Sequence, residues 1–231
     1  MPKITVISTF AQDKIIYKEP GKTITRKGGP AFWIDKTLKD LKVDFDFICP
    51  RKQAKVEVVV SKKGETGFVK SVDKINLTGK RTARAFIIST VADEFDLTNL
   101  TKLNGLIALD IQGYARDIKV QKKTKLQIAP DTYQLISILK VTKEELKFLD
   151  KEFTDNQKKR ILIITKGEQG AEIFSGGKRY VFPARKTKVK DTIGAGDVFL
   201  TAFVAEFIKI KDAQKAGKFA IGYVEQFLAD K

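Results

Sequence analysis

The chain has no histidine, a single cysteine (Cys49), and no apolar run near the ~18 residues a membrane-spanning helix needs. Without histidine there is no imidazole metal cluster and no Ser-His or Cys-His nucleophilic pair. One cysteine excludes an intrachain disulfide. Acid–base chemistry near neutral pH therefore falls to Asp, Glu, Lys or Tyr. The opening stretch, MPKITVISTF, carries one basic residue before a short β-like run. It is too short and too polar for a secretory signal, so the expected location is cytoplasmic, with no membrane partner.

Acidic residues are also scarce against basic ones: 28 Asp and Glu face 44 Lys and Arg, a formal charge of +16 over 231 residues. Three readings are open: a nucleic-acid binder, attraction of an anionic small molecule, or a lysine-rich surface. A nucleic-acid patch should cluster. Here the lysines run from Lys3 to Lys231, and the densest group, KVQKKTK at 119–125, falls where a surface loop is expected. Nucleic acid is not an expected partner.

A hydrophobic fraction of 42% suits a globular chain. KITVIS and FDFICP read as strands, and PAFWIDKTLKDLKV as a helix opened by Pro30. RAFIIS, GLIALDIQ, KLQIA, LISILK and RILIIT are five further short apolar runs, with a helical pattern clearest in TKEELKFLDKEF. Strands alternating with helices predict a doubly wound, mostly parallel sheet covered on both faces, an α/β fold in one domain spanning 1–231. GAEIFSGGKRYVFP predicts a hairpin turning at Ser175-Gly176-Gly177, and two helices follow, at 194–210 and about 212–229. Two earlier hairpins, near 14–27 (turning at Glu19-Pro20-Gly21-Lys22) and 55–71 (turning at Lys63-Gly64-Glu65), look too polar for core strands and are expected to form a small appendage.

KDTIGAGDVFLTAFVAEFI, residues 190–208, places two glycines and a carboxylate at the mouth of a long apolar helix. A helix N-terminus leaves N–H groups unpaired and carries partial positive charge. Glycines let backbone approach an anion without an intervening Cβ. Gly194, Ala195 and Gly196 could thus cradle a phosphate. Asp197 in the first turn either complements the helix dipole or takes a proton from an attacking hydroxyl; the stretch alone leaves both open.

DTIGAGD resembles the C-terminal signature of the ribokinase-like carbohydrate kinases (the PfkB family), Asp-Thr-x-Gly-Ala-Gly-Asp, at all six fixed positions. ITKGEQGAEIF is similar to the family's nucleotide segment, through Thr165, Gly167 and Gly170. ISTFAQDKIIY resembles the opening strand, with Asp13 at the substrate, and RKGGPAFWI the Gly-Gly signature, with Gly28 and Gly29. The resemblance implies an ATP-dependent kinase acting on a hydroxyl of a sugar or polyol, with a nucleoside or inositol as the alternative acceptor and a non-catalytic nucleotide-binding relative as another reading. It implies Asp197 as base, Gly194 to Gly196 as anion hole, and Thr165, Gly167, Gly170, Asp191 and Thr192 around the nucleotide. Asp13, Gly28 and Gly29 would bind the acceptor. It also implies Mg²⁺ with ATP, and a monovalent cation such as K⁺ near Asp191.

Two departures qualify this. The family's metal-side motif, Asn-x-x-Glu, has Thr142 in place of asparagine here; Glu145 keeps the glutamate, for Mg²⁺ through water or as the second half of a capping box with Thr142. Counting on from the Gly-Gly pair reaches Trp33 instead of an asparagine, so Trp33 either stacks on the acceptor or packs in the core. Arg116, ending ALDIQGYAR, could reach a phosphate or acceptor oxygen beyond a strand's carboxyl end, or pair with Asp110 or Asp117. The chain is short for the family. Its two early hairpins match the position of the family's β lid, and a trimmed lid could borrow closure from a second subunit in a homodimer.

Overall fold

A computed structural model describes residues 3–62, 64–117, 122–123, 129–185 and 191–231; the side chains of 64, 65, 116, 117, 122, 123 and 130 are not among those described. In chain order the elements are β1 (Ile4–Ser8), β2 (Ala11–Tyr17), β3 (Lys22–Gly28), α1 (Pro30–Asp40), β4 (Phe45–Ile48), β5 (Ala54–Ser61), β6 (Gly64–Ser71), β7 (Arg81–Ser89), β8 (Leu103–Asp110), β9 (Arg116–Asp117), β10 (Lys122–Lys123), α2 (Pro130–Tyr133), β11 (Ile138–Thr142), α3 (Lys151–Lys159), β12 (Ile161–Thr165), β13 (Ala171–Ser175), β14 (Lys178–Phe182), α4 (Ala195–Ile210) and α5 (Ala213–Ala229).

Eight strands form the main sheet in the order β14-β13-β12-β11-β8-β7-β1-β4. The six from β12 to β4 are parallel, and β13 and β14 add antiparallel at one edge. Alternate residues of each strand face opposite sides. Ile4, Val6, Ala85, Ile87, Ile138, Ile161 and Ile163 pack against α1, α4 and α5. Ile7, Phe86, Ile88, Leu109, Leu139, Val141 and Leu162 pack on the other side, against Phe153 of α3 and Phe95 and Leu100. This is the doubly covered α/β sheet the apolar runs predict. Helix α4 is buried almost all round because it lies on the sheet between α1 and α5.

Three expectations need adjustment. LISILK enters its strand only at Ile138, and KLQIA lies outside the described residues except for its last residue, Ala129, which is not in a strand. The early hairpins do form a small sheet apart from the main one, but their strands are not too polar to bury a face: β2 and β5 pair in parallel, making one four-stranded sheet β3-β2-β5-β6. Its inner face buries Ala11, Ile15, Ala54, Val56, Val58 and Val69. AQDKIIY looks polar when read as a run, yet its polar residues alternate with buried ones. The hairpin turn at β13–β14 lies at Gly176-Gly177, both with positive φ, as a two-residue turn between twisted strands requires.

The chain leaves β1 for β4 on one side and takes up β7, β8, β11 and β12 on the other. The order therefore reverses between β1 and β7, and open α/β sheets bind ligands beyond the carboxyl ends of strands at such a point. Ser8, Ser89, Asp110, Thr142 and Thr165 end their strands there.

Candidate active site

A cavity of about 800 Å³ opens over those strand ends. Its floor is the N-terminus of α4. Gly194 caps the helix at φ 87°, in the left-handed region, and a Cβ there would lie 2.5 Å from the Trp33 ring. Conformation and packing both demand glycine. The Ala195 N–H donates to the Thr192 carbonyl at 3.0 Å, and the first i→i−4 bond runs from Val198 to Gly194. Helix geometry thus leaves Gly196 and Asp197 as the N–H groups without an i−4 acceptor. A Cβ on Gly196 would meet the Lys140 ammonium at 2.7 Å.

Asp197 lines the cavity and is only 8% exposed. Its Oδ1 accepts from the Ser89 hydroxyl at 2.8 Å, with the Gln112 amide at 3.4 Å. Burial lifts its pKa to about 7, with the neighbouring Asp110 adding to the shift and Lys140 and the Ser89 hydrogen bond opposing it. The Lys140 ammonium, 2% exposed, donates to Asp110 Oδ2 at 2.7 Å. Burial favours the neutral amine, but Asp110, Glu145 and Asp197 outweigh it and hold Lys140 charged.

At the end of the cavity beside β2 and β3, Asp13 is buried over Gly28, where a Cβ would overlap its carboxylate. Gly29 has φ 78°, and a Cβ on it would lie 2.7 Å from the Ala11 nitrogen and the Thr9 carbonyl; the pair lets β3 turn into α1 against the β1–β2 corner. Burial raises the Asp13 pKa, against the Gly29 N–H and Arg26. Trp33 both lines the cavity and packs edge-on against Phe32 and Phe227 at 4.9 and 5.4 Å. At the other end, Thr165 lies beside Gly167 and Gly170 in the wall, and a Cβ on Gly170 would lie 2.0 Å from the Phe182 carbonyl.

Gly28, Asp191 and Glu145 are not in the wall. Asp191 Oδ1 accepts from Lys231 at 2.5 Å and from the Ile193 N–H at 3.2 Å; Oδ2 accepts from the Tyr17 hydroxyl at 3.0 Å, and Arg26 stands 3.6 Å away. Burial pushes this carboxyl up, but Lys231, Tyr17 and Arg26 together hold it below the ordinary value. Glu145 makes the capping box: Thr142 N–H donates to its Oε2 at 2.9 Å, and its own N–H donates to the Thr142 hydroxyl at 3.1 Å. The Arg116 side chain lies outside the described residues, and the partner of Asp110 is Lys140.

Sequence reasoning missed Ser89, Gln112, Lys140 and Lys231. A signal existed for two of them: Lys140 is a charge inside the apolar strand run LISILKVT, and Ser89 ends RAFIIS.

No group of three or more Cys, Asp or Glu among the described residues could cage a metal ion. The donor set fits Mg²⁺ only as an ion bound largely by phosphate oxygens and water. For a monovalent cation at Asp191, the carboxylate and the Ile193 carbonyl already accept from Lys231. No described helix is long and apolar enough to cross a membrane.

Residues 38–223 match the sequence profile of the pfkB family carbohydrate kinases. The chain is 27% identical over 121 residues (52% of its length, 39% of the relative) to a Pyrococcus horikoshii protein provisionally described as a sugar kinase. It is 26% identical over 152 residues (66% and 47%) to the ATP-dependent ribose-1-phosphate kinase of Halopiger xanaduensis. The matched stretches thus span less than half of either relative. Among solved structures, a pyrophosphate-dependent kinase of the ribokinase family in complex with sulfate superposes with a TM-score of 0.78 at 19% identity, over 97% of this chain and 95% of that one.

Proposed function

Because the chain belongs to the pfkB family of carbohydrate kinases, we propose that it transfers the γ-phosphoryl group of ATP to a hydroxyl of a small sugar or polyol. One observation carries this reading: a buried carboxyl, raised to about pKa 7 and held by the Ser89 hydroxyl, lines the cavity in the first turn of a helix, where the Gly196 and Asp197 N–H groups have no i−4 acceptor. Asp197 takes the proton from the acceptor hydroxyl as its oxygen attacks phosphorus. A pKa near the working pH suits a general base. The N–H groups of Gly196 and Asp197, with Gly194 and Ala195 shaping the turn, face the charge on the migrating phosphoryl group. Lys140 adds a fixed positive charge beside Gly196. Such positioning and neutralisation make up most of what phosphoryl transfer asks of a protein.

Asp13 and Gly29 border the acceptor, with Trp33 as one wall. Thr165, Gly167 and Gly170 border the donor, and Ile221, Val224 and Leu228 of α5 offer an apolar surface for a base. Mg²⁺ would arrive with the donor phosphates and neutralise them, Glu145 being the candidate water-mediated partner. The four-stranded sheet, whose Val56, Val58 and Gly67 border the cavity, acts as the lid that keeps water out; a second copy could complete it.

A second donor, pyrophosphate, is favoured by the superposition on the pyrophosphate-dependent neighbour, over 97% of this chain and 95% of that one. The experiment is a donor-by-acceptor screen: ATP and pyrophosphate against pentoses, hexoses, inositols and nucleosides. Asp197→Asn is expected to keep the fold and donor binding and to lower kcat by about 10²–10⁴. Turnover at the wild-type rate in that variant would remove Asp197 as base.

A further inference from the structure

Asp191 is the first residue of the signature loop that ends in the α4 cap, and its surroundings do not suit a bound metal cation. Lys231 follows the α5 cap residue, Asp230. Its ammonium lies 2.5 Å from Asp191 Oδ1 and 2.7 Å from the Ile193 carbonyl. The Trp33 and Phe227 rings stand around it, each with its centroid 5.1 Å away. One carboxylate, one carbonyl and two ring faces make a cation-binding set, and a cation of the chain already fills it. The side chains of Lys231 and Asp191 are 13% and 5% exposed, so the pair is largely withdrawn from water.

Charge counting points the same way. Arg26 lies 3.6 Å from Asp191 Oδ1 and 5.6 Å from the Trp33 ring centroid, yet its buried Nε and Nη2 make no hydrogen bond. It contributes a second positive charge here without engaging the carboxylate as a donor. A metal cation would join two fixed positive charges facing one negative charge. Like charges brought together in a site withdrawn from water repel strongly.

The position has a mechanical consequence. Lys231 draws together the Asp191 carboxylate and the Ile193 carbonyl, which flank Thr192, whose own carbonyl receives the Ala195 N–H. Gly194 follows at once, wedged on Trp33. The ammonium thereby sets the turn that presents the Gly196 and Asp197 N–H groups to the cavity.

We propose that Lys231 is a resident cation: its ammonium takes the place at Asp191 and the Ile193 carbonyl that a monovalent metal ion would fill, and it holds the loop before α4 without one. Lys231 is then a positioning residue. Its effect on turnover rests on the kinase reading; its effect on cation binding and stability does not.

The test compares wild type, Lys231→Met and Lys231→Arg in potassium chloride and in tetramethylammonium chloride at equal ionic strength. Melting temperature, turnover and thallium(I) NMR, with thallium as the potassium surrogate, are read for each. Wild type is expected to show the same Tm and rate in both salts and no thallium binding. Lys231→Met should melt about 2–8 °C lower in tetramethylammonium, recover Tm and rate with potassium, and bind thallium. Lys231→Arg, which keeps a cation, should ignore potassium as wild type does. A potassium-dependent Tm or bound thallium in wild type would overturn the proposal. So would a Lys231→Met protein that matches wild type without potassium, or one that is impaired and does not respond to potassium. If Lys231→Met does not fold in either salt, the wild-type and Lys231→Arg arms still decide. If no acceptor is phosphorylated at all, Tm and thallium binding decide alone, separating failure of this proposal from failure of the kinase reading.

Discussion

Asp191 and Asp197 stand at the two ends of one short loop, both nearly buried, and their surroundings drive them in opposite directions. Around Asp191 are Lys231, Arg26, the Tyr17 hydroxyl and the Ile193 N–H. Around Asp197 are two other carboxyls, Asp110 and Asp13, opposed by Lys140 and the Ser89 hydroxyl. The first aspartate is held below the ordinary carboxyl value and ties the four-stranded sheet, the residue beyond α5 and the loop together. The second is pushed up to about 7 and lines the cavity. Burial alone raises both; the charges that the fold brings alongside decide which stays ionised.

The comparison breaks most sharply at Asp197. On the proposed role of Asp197 as base, wild-type kcat/KM should fall about tenfold per pH unit below about pH 7 as its carboxylate is protonated, and Asp197→Asn, down at least about a hundredfold, should lose that limb. The linked stability effect has a defined sign. Asp197's folded pKa is raised to about 7 from 3.8, so between those values the native state holds a proton that the unfolded chain has lost. Stability falls as pH rises through that window. Asp197→Asn should therefore gain Tm at pH 8 and lose the gain near pH 4, which calorimetry at the two pH values checks.

Lys140→Met comes next. It strands Asp110 in the interior, and breaking such a pair costs about 3–5 kcal/mol. The acid limb should also move to higher pH, because the charge opposing Asp197's shift is gone. Denaturant titration and a pH–rate profile read the two effects separately. Asp191→Asn should cost less, about 1–3 kcal/mol, with the opposite pH dependence. Its carboxyl lies below the ordinary value in the folded state, so its stabilisation is present above that ordinary value and lost as pH falls through the folded pKa. The acid limb should stay where it is. Ser89→Ala is the smallest change: about 1 kcal/mol and a shift of the limb upward, since one hydrogen bond to the ionised Asp197 disappears.

How far the sequence could be read followed chain distance. The α4 cap and the Gly176-Gly177 turn are contiguous, and local geometry sufficed for each; Asp197 and the Thr142–Glu145 pair are as local, but residue spacing left each with two readings. The strands of the four-stranded sheet were misjudged because overall polarity hid their alternation, in which Ala11, Asp13 and Ile15 face inward while Gln12 and Lys14 face out. Of the two rival roles for Trp33, the structure shows the packing one, against Phe32, Phe227 and Gly194, and it also places the ring in the cavity wall. The capping role of Glu145 could be named from spacing, but not that its carboxylate would add to the field on Lys140.

By itself the sequence determined the alternation of strands and helices, the glycine cap before an apolar helix and the absence of imidazole chemistry, because these depend on residue type and short spacing. Only the tertiary structure decided which aspartate titrates. Ser89, Asp110, Lys140 and Lys231 come from separate elements, and electrostatic energy depends on distance through space and on excluded water, neither of which the order of residues along the chain records.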